Sequence, residues 1–579
     1  MSSSNTNSVN FSRAPSNIHP SFRNYEQGPA EVNELQHQQF QDTKSKAAVA
    51  AKEDEEDTFY SAQGTPISRP QSIIKATLQD FAGSYSRTSL LYMTDSISVD
   101  QHSHAYEEDD LESLLSRVKS IDSKRDQSQD YQTFNSKEEA KTHMLFGPPI
   151  SRHSTIASEI LKDDDGDADI SVEGKKSNFV QSIFNAINVL VGIGILALPL
   201  SLKYAGWIGG SLIFMFCCFG TNYTAKLIIK CLKVNASNDG LNQTYGDMGQ
   251  IAFGKNGRRW ISIVFLVELV TIGVAMIVLF SDVLQTLFTR DLTLVETRCL
   301  SFIILLPTVF LPIRKLAYTS LTGIIACFSL LLIVFYDGIS KKDKPGSLLE
   351  PMETEFIPTD ISYVPLSFGL IMSGFAGHAV FPSIYRDMED PKAYNRMVNL
   401  TYIVTAGIYV TMAVIGYLMF GKDAMEEITQ NLTQIPEYSQ LLNKFAIWLL
   451  VMTPVSKYGL MTQPLNLTCE LWLSHKLASY YQLKTNNSMI FKIFNRITIT
   501  AILVYISYLL PAFDRVMSLL GALFSFGISI LFPIVCHLKL FNSKLSTVEK
   551  MLNWTIFTIS LFMAIAGTLW SLFFTSPTK

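Results

Sequence analysis

The chain has 579 residues, 48% of them hydrophobic and 17% charged, with a formal net charge of −4. With that balance no nucleic-acid partner is expected. It also conceals two parts, because residues 1–175 carry about 17 Lys/Arg against about 29 Asp/Glu while the remainder has a net excess of about 8 positive charges.

Residues 1–175 have no sustained hydrophobic period and are rich in Ser, Gln and Asn, with acidic runs EDEED at 53–57 and DDDGD at 163–167. Such a segment cannot bury enough apolar surface to offset the ordering of its backbone, which predicts a disordered acidic cytoplasmic tail. The first 30 residues lack a basic region followed by an apolar core, so no cleaved signal peptide is expected. Asp110, Leu114 and Leu115 fit an acidic dileucine pattern of the kind that sorting adaptors read in vacuolar or lysosomal proteins. Arg69 and Arg152 precede Ser or Thr by two or three positions, offering basic-directed kinase sites. Both patterns also arise by chance in tails of this composition.

Residues 176–579 contain eleven apolar stretches near the length a bilayer requires: 179–201, 206–230, 260–284, 297–313, 319–337, 363–385, 397–420, 442–464, 490–511, 514–537 and 551–574. The fourth is short and the eighth is interrupted by Pro454 and Lys457, so these two are the weakest. Lys226, Lys230, Lys233, Lys255, Arg258 and Arg259 fall in loops on the tail side, which orients the N-terminus toward the cytoplasm and the C-terminus toward a lumen. Asp282 and Asp337 lie near outer span ends and are expected at the interface. Asn431 heads an Asn-Leu-Thr sequon in an outer loop. The seven cysteines, at 217, 218, 231, 299, 327, 469 and 536, all lie in or beside apolar segments, which suggests neither disulfides nor a zinc site. No nucleophile–base pair or phosphate loop stands out, so an enzyme is not expected.

The first apolar stretch carries Gly192, Gly194 and Pro199, and the sixth carries Gly374, Gly377 and Pro382. Broken helices survive in a membrane only where they are buried in protein or line a cavity. Close packing through small residues is the alternative for either stretch alone. However, Gly194 precedes Pro199 by five positions and Gly377 precedes Pro382 by five. These stretches open two blocks of five spans, and interrupted helices at matching places in inverted halves point to a transporter's midplane site.

The segments SIFNAINVLVGIGILALPLSLKYAGWIGG (182–210), FGLIMSGFAGHAVFPSIYRDMEDP (368–391) and TPVSKYGL (453–460) resemble the amino acid/auxin permease family. Within it the likeness is to fungal vacuolar amino-acid transporters, relatives of the vesicular inhibitory amino-acid transporter. The resemblance spans roughly residues 176–575, not the tail. It implies an all-α membrane protein of eleven transmembrane helices in a five-plus-five inverted repeat, with helices 1 and 6 broken. It also implies proton-linked amino-acid movement across an acidic organelle membrane, without a cofactor.

A substrate amino acid brings a carboxylate, an ammonium and a side chain. N–H groups where a broken helix resumes suit the carboxylate, and freed carbonyls suit the ammonium. Gly192, Ile193, Gly194 and Ile195 are therefore candidates for backbone recognition, with Phe375, Ala376 and Gly377 opposite. Phe375 either lines a pocket for a neutral side chain or packs in the core. Asn185 and Asn188 share a helix face and either meet substrate or make interhelical hydrogen bonds; the resemblance favours a site role for Asn188. Glu268, midway along the third stretch, and His378, after the sixth-span break, are candidates for proton coupling. A hydrogen-bonded core histidine remains open for His378. Under the family's fold, Thr453, Ser456 and Lys457 fall where sodium-coupled relatives hold their ion, so the Lys457 ammonium could replace it. Snorkelling to the interface is its alternative.

The expected activity is proton-coupled transport of neutral amino acids across a vacuolar membrane, by antiport into the acidic lumen. Export to the cytosol with protons, and an amino-acid sensor signalling through the tail, are the competing readings.

Overall fold

The computed structural model describes residues 59–60, 66–67, 81, 83–89, 91–92, 176–235, 244–288, 292–311, 313–481 and 488–574. The chain divides into two units, residues 1–77 and 78–579. In the first, β1 (Phe59–Tyr60) pairs antiparallel with β2 (Pro66–Ile67), Phe59 opposite Ile67. Asp110, Leu114, Leu115, Arg69 and Arg152 lie outside the described residues.

The second unit is all-helical in its described residues. Its α1 (Phe179–Leu190) opens on a capping box in which Asn178 and Gln181 each accept the other's backbone N–H at 2.9 Å. Helical angles fail at Val191 (ψ 101°) and Gly192 (φ −135°, ψ −151°), and a 3-10 turn at Ile193–Ala197 follows. The next helix, α2 (Leu198–Leu232), has Pro199 in its first turn, where the missing N–H has no partner to lose. Pro199 therefore starts a helix rather than breaking one. Capping boxes of the same kind open α3 (Tyr245–Leu287) at Thr244 and α4 (Leu294–Leu305) at Thr293. Next comes α5 (Ile313–Ser340).

The second half begins with α6 (Val364–Ser373), which stops at Gly374. Gly377 takes φ 122°, a turn follows at His378–Val380, and α7 (Phe381–Asp387) starts with Pro382 in its first turn. Then come α8 (Tyr394–Phe420), the short α9 (Ile428–Thr433) and α10 (Gln440–Tyr481). Helix α10 runs through both Pro454 and Pro464, so the interruption expected there does not occur. After α11 (Ser488–Leu509), α12 (Phe513–Leu519) passes through a π-helical stretch, Leu520–Leu531, into α13 (Phe532–Phe541). The last helix is α14 (Thr547–Phe573).

Among the described residues, nine helical stretches are long and apolar enough to cross a membrane, against eleven expected. The difference has two sources. Ile193–Leu232 carries parts of the first two expected spans through a bend at Gly206 (φ 67°, ψ 177°), and the expected fourth is the shorter α4 followed by a 3-10 turn. Asp337, three residues from the end of α5, is fully buried in the protein. Asn431 is also buried, its amide donating to the Asp423 carbonyl at 2.8 Å and its oxygen accepting from Met425 N–H, so the sequon is not displayed for glycosylation.

The segment around Glu355 and Phe356 closes over the Gly206 bend. The N–H groups of Trp207 and Ile208 donate to the carbonyls of Glu355 and Phe356, both at 3.0 Å, and Glu355 N–H donates to Tyr417 Oη at 2.9 Å. A Cβ on Gly206 would come within 2.8 Å of the Phe356 oxygen, at a φ that side chains avoid. Gly206→Ala is therefore expected to cost about 1–3 kcal/mol and lower the thermal midpoint of the detergent-purified protein. Gly209→Ala, whose Cβ would meet only Ala205 at 3.6 Å, is expected to leave it unchanged.

Glu355 also pairs with Lys422 at 2.9 Å and binds Thr359. These hydrogen bonds, Lys422's first, hold its carboxyl down from 4.5 to about 2. A depressed carboxyl contributes stability that is complete above its unfolded pKa and is lost progressively as pH falls from there through the folded one. Amide-exchange protection at residues 355–359 is thus expected to be flat from neutral pH down to near 4.5 and to fall progressively from there to about 2. With Lys422→Met the folded pKa rises, so the loss is expected to be smaller and complete at a higher pH.

Candidate functional site

The two helix interruptions meet. A Cβ placed on Gly194 would lie 3.2 Å from the Cα and N of Gly374 and 3.3 Å from Ser373 Oγ, so a side chain here would crowd the two backbones and glycine lets them approach without displacement. Gly377 is fixed by its φ of 122°. Gly194, Ile193 and Ile195 are buried in the turn that resumes span one. By helix geometry, the first N–H groups of that turn have no carbonyl of their own helix to bind.

On the opposite side, Phe375 and Ala376, two of the three residues expected to take part in backbone recognition, have their N–H groups engaged. The N–H groups of Gly374, Phe375 and Ala376 donate to Ile371, Met372 and Ser373 at 3.2, 3.0 and 3.4 Å, extending the end of α6. The donors that helix geometry leaves open here belong to His378 and Ala379, at the start of the next turn. Phe375 is fully buried, stacked on Tyr402 with centroids 6.1 Å apart and set edge-on to Tyr409 and Phe214 at 5.6 and 5.4 Å. Its ring belongs to an aromatic cluster.

Carbonyls freed at the breaks are met by two side chains from other helices. Lys457 on α10, only 2% exposed, donates from Nζ to the Val191 carbonyl at 3.2 Å. This places the ammonium at the span-one break and not at the membrane surface, so the lysine does not snorkel. Tyr409 on α8 sets its hydroxyl 2.7 Å from the Leu190 carbonyl and 2.8 Å from that of Gly374. Its one proton bridges the ends of α1 and α6. Sequence reasoning passed over Tyr409, although a tyrosine in the middle of an apolar span is itself a signal, because its buried hydroxyl needs a partner.

The remaining candidates lie around this centre. Asn188 is fully buried on α1. Asn185, also buried, donates to Ser84 Oγ at 2.8 Å and Thr88 Oγ1 at 3.2 Å. Thr453 and Ser456 are buried on α10, Ser456 donating to the Thr453 carbonyl at 3.0 Å. His378 is buried with Nε2 2.9 Å from the Thr221 carbonyl and 3.2 Å from Thr224 Oγ1, which ties the span-six break to α2. The Thr221 carbonyl can only accept, so this contact assigns the proton to Nε2. Glu268 is 5% exposed on α3, and its carboxylate has no hydrogen bond or ion pair among the described residues. No group of three or more His, Cys, Asp or Glu among the described residues is placed to hold a metal ion.

The arrangement can therefore engage a small zwitterion with main-chain groups at two helix breaks, beside one fixed ammonium. Residues 175–573 match the family described as transmembrane amino acid transporter protein. Two relatives from Arabidopsis thaliana are amino acid transporter AVT1I, 32% identical over 68% of this chain and 94% of its own, and amino acid transporter AVT1E, 30% identical over 72% and 77%. Among solved structures, MhsT in complex with L-phenylalanine aligns with a TM-score of 0.41 at 10% identity, covering 68% of this chain and 98% of that one. The chain belongs to the transmembrane amino acid transporter family.

Proposed function

We propose that this protein is a proton-coupled transporter of neutral amino acids in the vacuolar membrane, loading them into the acidic lumen by proton antiport and alternating access. The observation that carries this reading is the glycine-to-glycine contact of two interrupted helices, Gly194 against Gly374, with Lys457 bound to the adjoining carbonyl. Main-chain N–H groups at the resumption of span one receive the substrate carboxylate, and carbonyls at the break receive its ammonium. Gly192, Gly194 and Asn188 frame that site. Because both partners are backbone groups, recognition falls on the part that all amino acids share. A neutral side chain agrees with the apolar surroundings, Ile193, Ile195 and the Phe375 cluster, all buried.

Glu268 is the proposed proton carrier. A carboxyl buried in a span without an ionic partner is neutral or charged according to which side it faces, and that difference couples it to the gradient. His378 serves the fold by holding the span-six break to α2, as its Nε2 contacts favour. Lys457 occupies the place of a bound cation.

Purified protein in vesicles with an imposed pH gradient is expected to concentrate labelled neutral amino acids in the acidic compartment. Collapse of the gradient is expected to stop uptake. Net flux only from the acidic to the neutral side would replace antiport with export, and binding without gradient-dependent flux would overturn transport. Glu268→Gln is expected to abolish gradient-driven accumulation yet keep exchange of labelled for unlabelled substrate, a split that a merely structural role would not produce. Lys457→Met leaves the Val191 carbonyl buried without its donor, at a cost of about 1–3 kcal/mol. It is expected to weaken substrate binding roughly tenfold, read by isothermal titration.

A further inference from the structure

Residues 81, 83–89 and 91–92, expected as part of a disordered tail, are helical and packed against the bundle. Tyr85 is 3% exposed and sits with Leu316 of α5 and Leu460 of α10, against Val189 of α1. Phe81 meets Phe184 of α1 edge-on at 5.1 Å, and Tyr92 meets Phe265 of α3 in the same way at 5.6 Å. The polar face is equally engaged. Arg87 Nε donates to Asp387 Oδ1 at 3.1 Å and Thr88 Oγ1 to Asp387 Oδ2 at 3.2 Å. Ser84 Oγ contacts Ser177 Oγ, and Asn185 bridges Ser84 and Thr88. Asp387 is 4% exposed, so the guanidinium is the counter-charge of a buried carboxylate.

We propose that this segment is an intramolecular plug, docked in a receptor formed by α1, α3, α5, α7 and α10, which holds the tail-side path to the substrate site closed until it is released. The partners decide this. Asn185 and Asp387 belong to the tail-side halves of the two broken spans, α1 and α7, whereas Phe265, Leu316 and Leu460 belong to α3, α5 and α10. Alternating access moves repeat elements against each other around a fixed site, and opening on the tail side must separate some of these five helices. A segment bound to all of them cannot remain docked when they part. Its position also leads inward. Val189 packs on the cluster of Tyr85, Leu316 and Leu460 and comes so close to Gly377 that a Cβ there would lie 2.6 Å from its Cγ1, and Phe265 is three residues from Glu268 on α3. The plug thus occupies the approach to both the substrate break and the buried carboxyl.

The docked hydroxyls supply the release. A phosphoryl group on Thr88 or Ser84 would carry one to two negative charges onto the carboxylate of Asp387 and break the Asn185 bridge, so that electrostatic repulsion and lost hydrogen bonds act together. Buried as they are, these hydroxyls can be modified only while the segment is undocked, so modification traps the open form.

The inference rests on the transport reading for its flux arm but not for its docking arm. In vesicles, full-length protein lacking residues 81–92, and separately the Thr88→Glu and Arg87→Glu variants, are expected to take up substrate roughly tenfold faster than the intact chain. A peptide with the sequence of residues 78–95, added on the tail side, is expected to reverse the gain in the deletion variant alone. In parallel, Phe184→Cys is expected to react with a membrane-impermeant thiol reagent from the tail side only when the segment is deleted, read against the same chain without the added cysteine. Unchanged reactivity of Phe184→Cys on deletion overturns the plug. Increased reactivity without flux in either protein supports the plug and removes the transport reading instead.

Discussion

The structure depends on one constraint: a carbonyl released from a helix inside a membrane must find another donor. At the ends of α1 and α6 the carbonyls of Leu190, Val191 and Gly374 lose the continuation of their helices together. Tyr409 and Lys457 meet them, the first with a shared hydroxyl proton and the second with an ammonium. Each reaches in from a helix that is itself unbroken, α8 or α10. Breaking two helices at one place therefore requires two intact ones beside it. An unsatisfied carbonyl there would cost about 1–3 kcal/mol, comparable with much of what a bound substrate contributes.

The glycines act on the same point by subtraction. Without side chains at Gly194 and Gly374 the two interrupted segments come into main-chain contact. A similar close crossing holds α6 to the π-helical stretch, where Gly521 packs on the Gly369 carbonyl. Small residues thus set the spacing of the second broken span on both of its sides. The polar chemistry of the site is then built from backbone, which suits a ligand whose constant feature is a carboxylate beside an ammonium.

Much of this was legible in the sequence because it depends on local rules. Gly192, Gly194, Gly374 and Gly377 marked where helices stop, and the repeated spacing to Pro199 and Pro382 marked the matching halves. The prolines, however, start helices. Pro454 and Pro464 do not interrupt α10 at all, because neighbours in the fold and not the sequence of one helix decide whether a proline breaks it. The docked segment was illegible for a different reason. Arg87 finds its carboxylate 300 residues away, and composition averaged over 175 residues concealed a short stretch with Phe81, Tyr85 and Tyr92 on one helical face. The capping boxes at Asn178, Thr244, Thr293 and Ser546 show the opposite case, since each is complete within four residues.

Lys457 has one further consequence. A positive charge carried by a dissolved ion crosses the membrane with its cargo, whereas one covalently attached to α10 stays behind. The electric current that accompanies each turnover is then set by the substrate and by whatever protons travel with or against it. On the proposed reading, a side chain in place of an ion removes one carrier from the charge balance, and membrane voltage acts on the species that cross and on any protein charge that moves through the field.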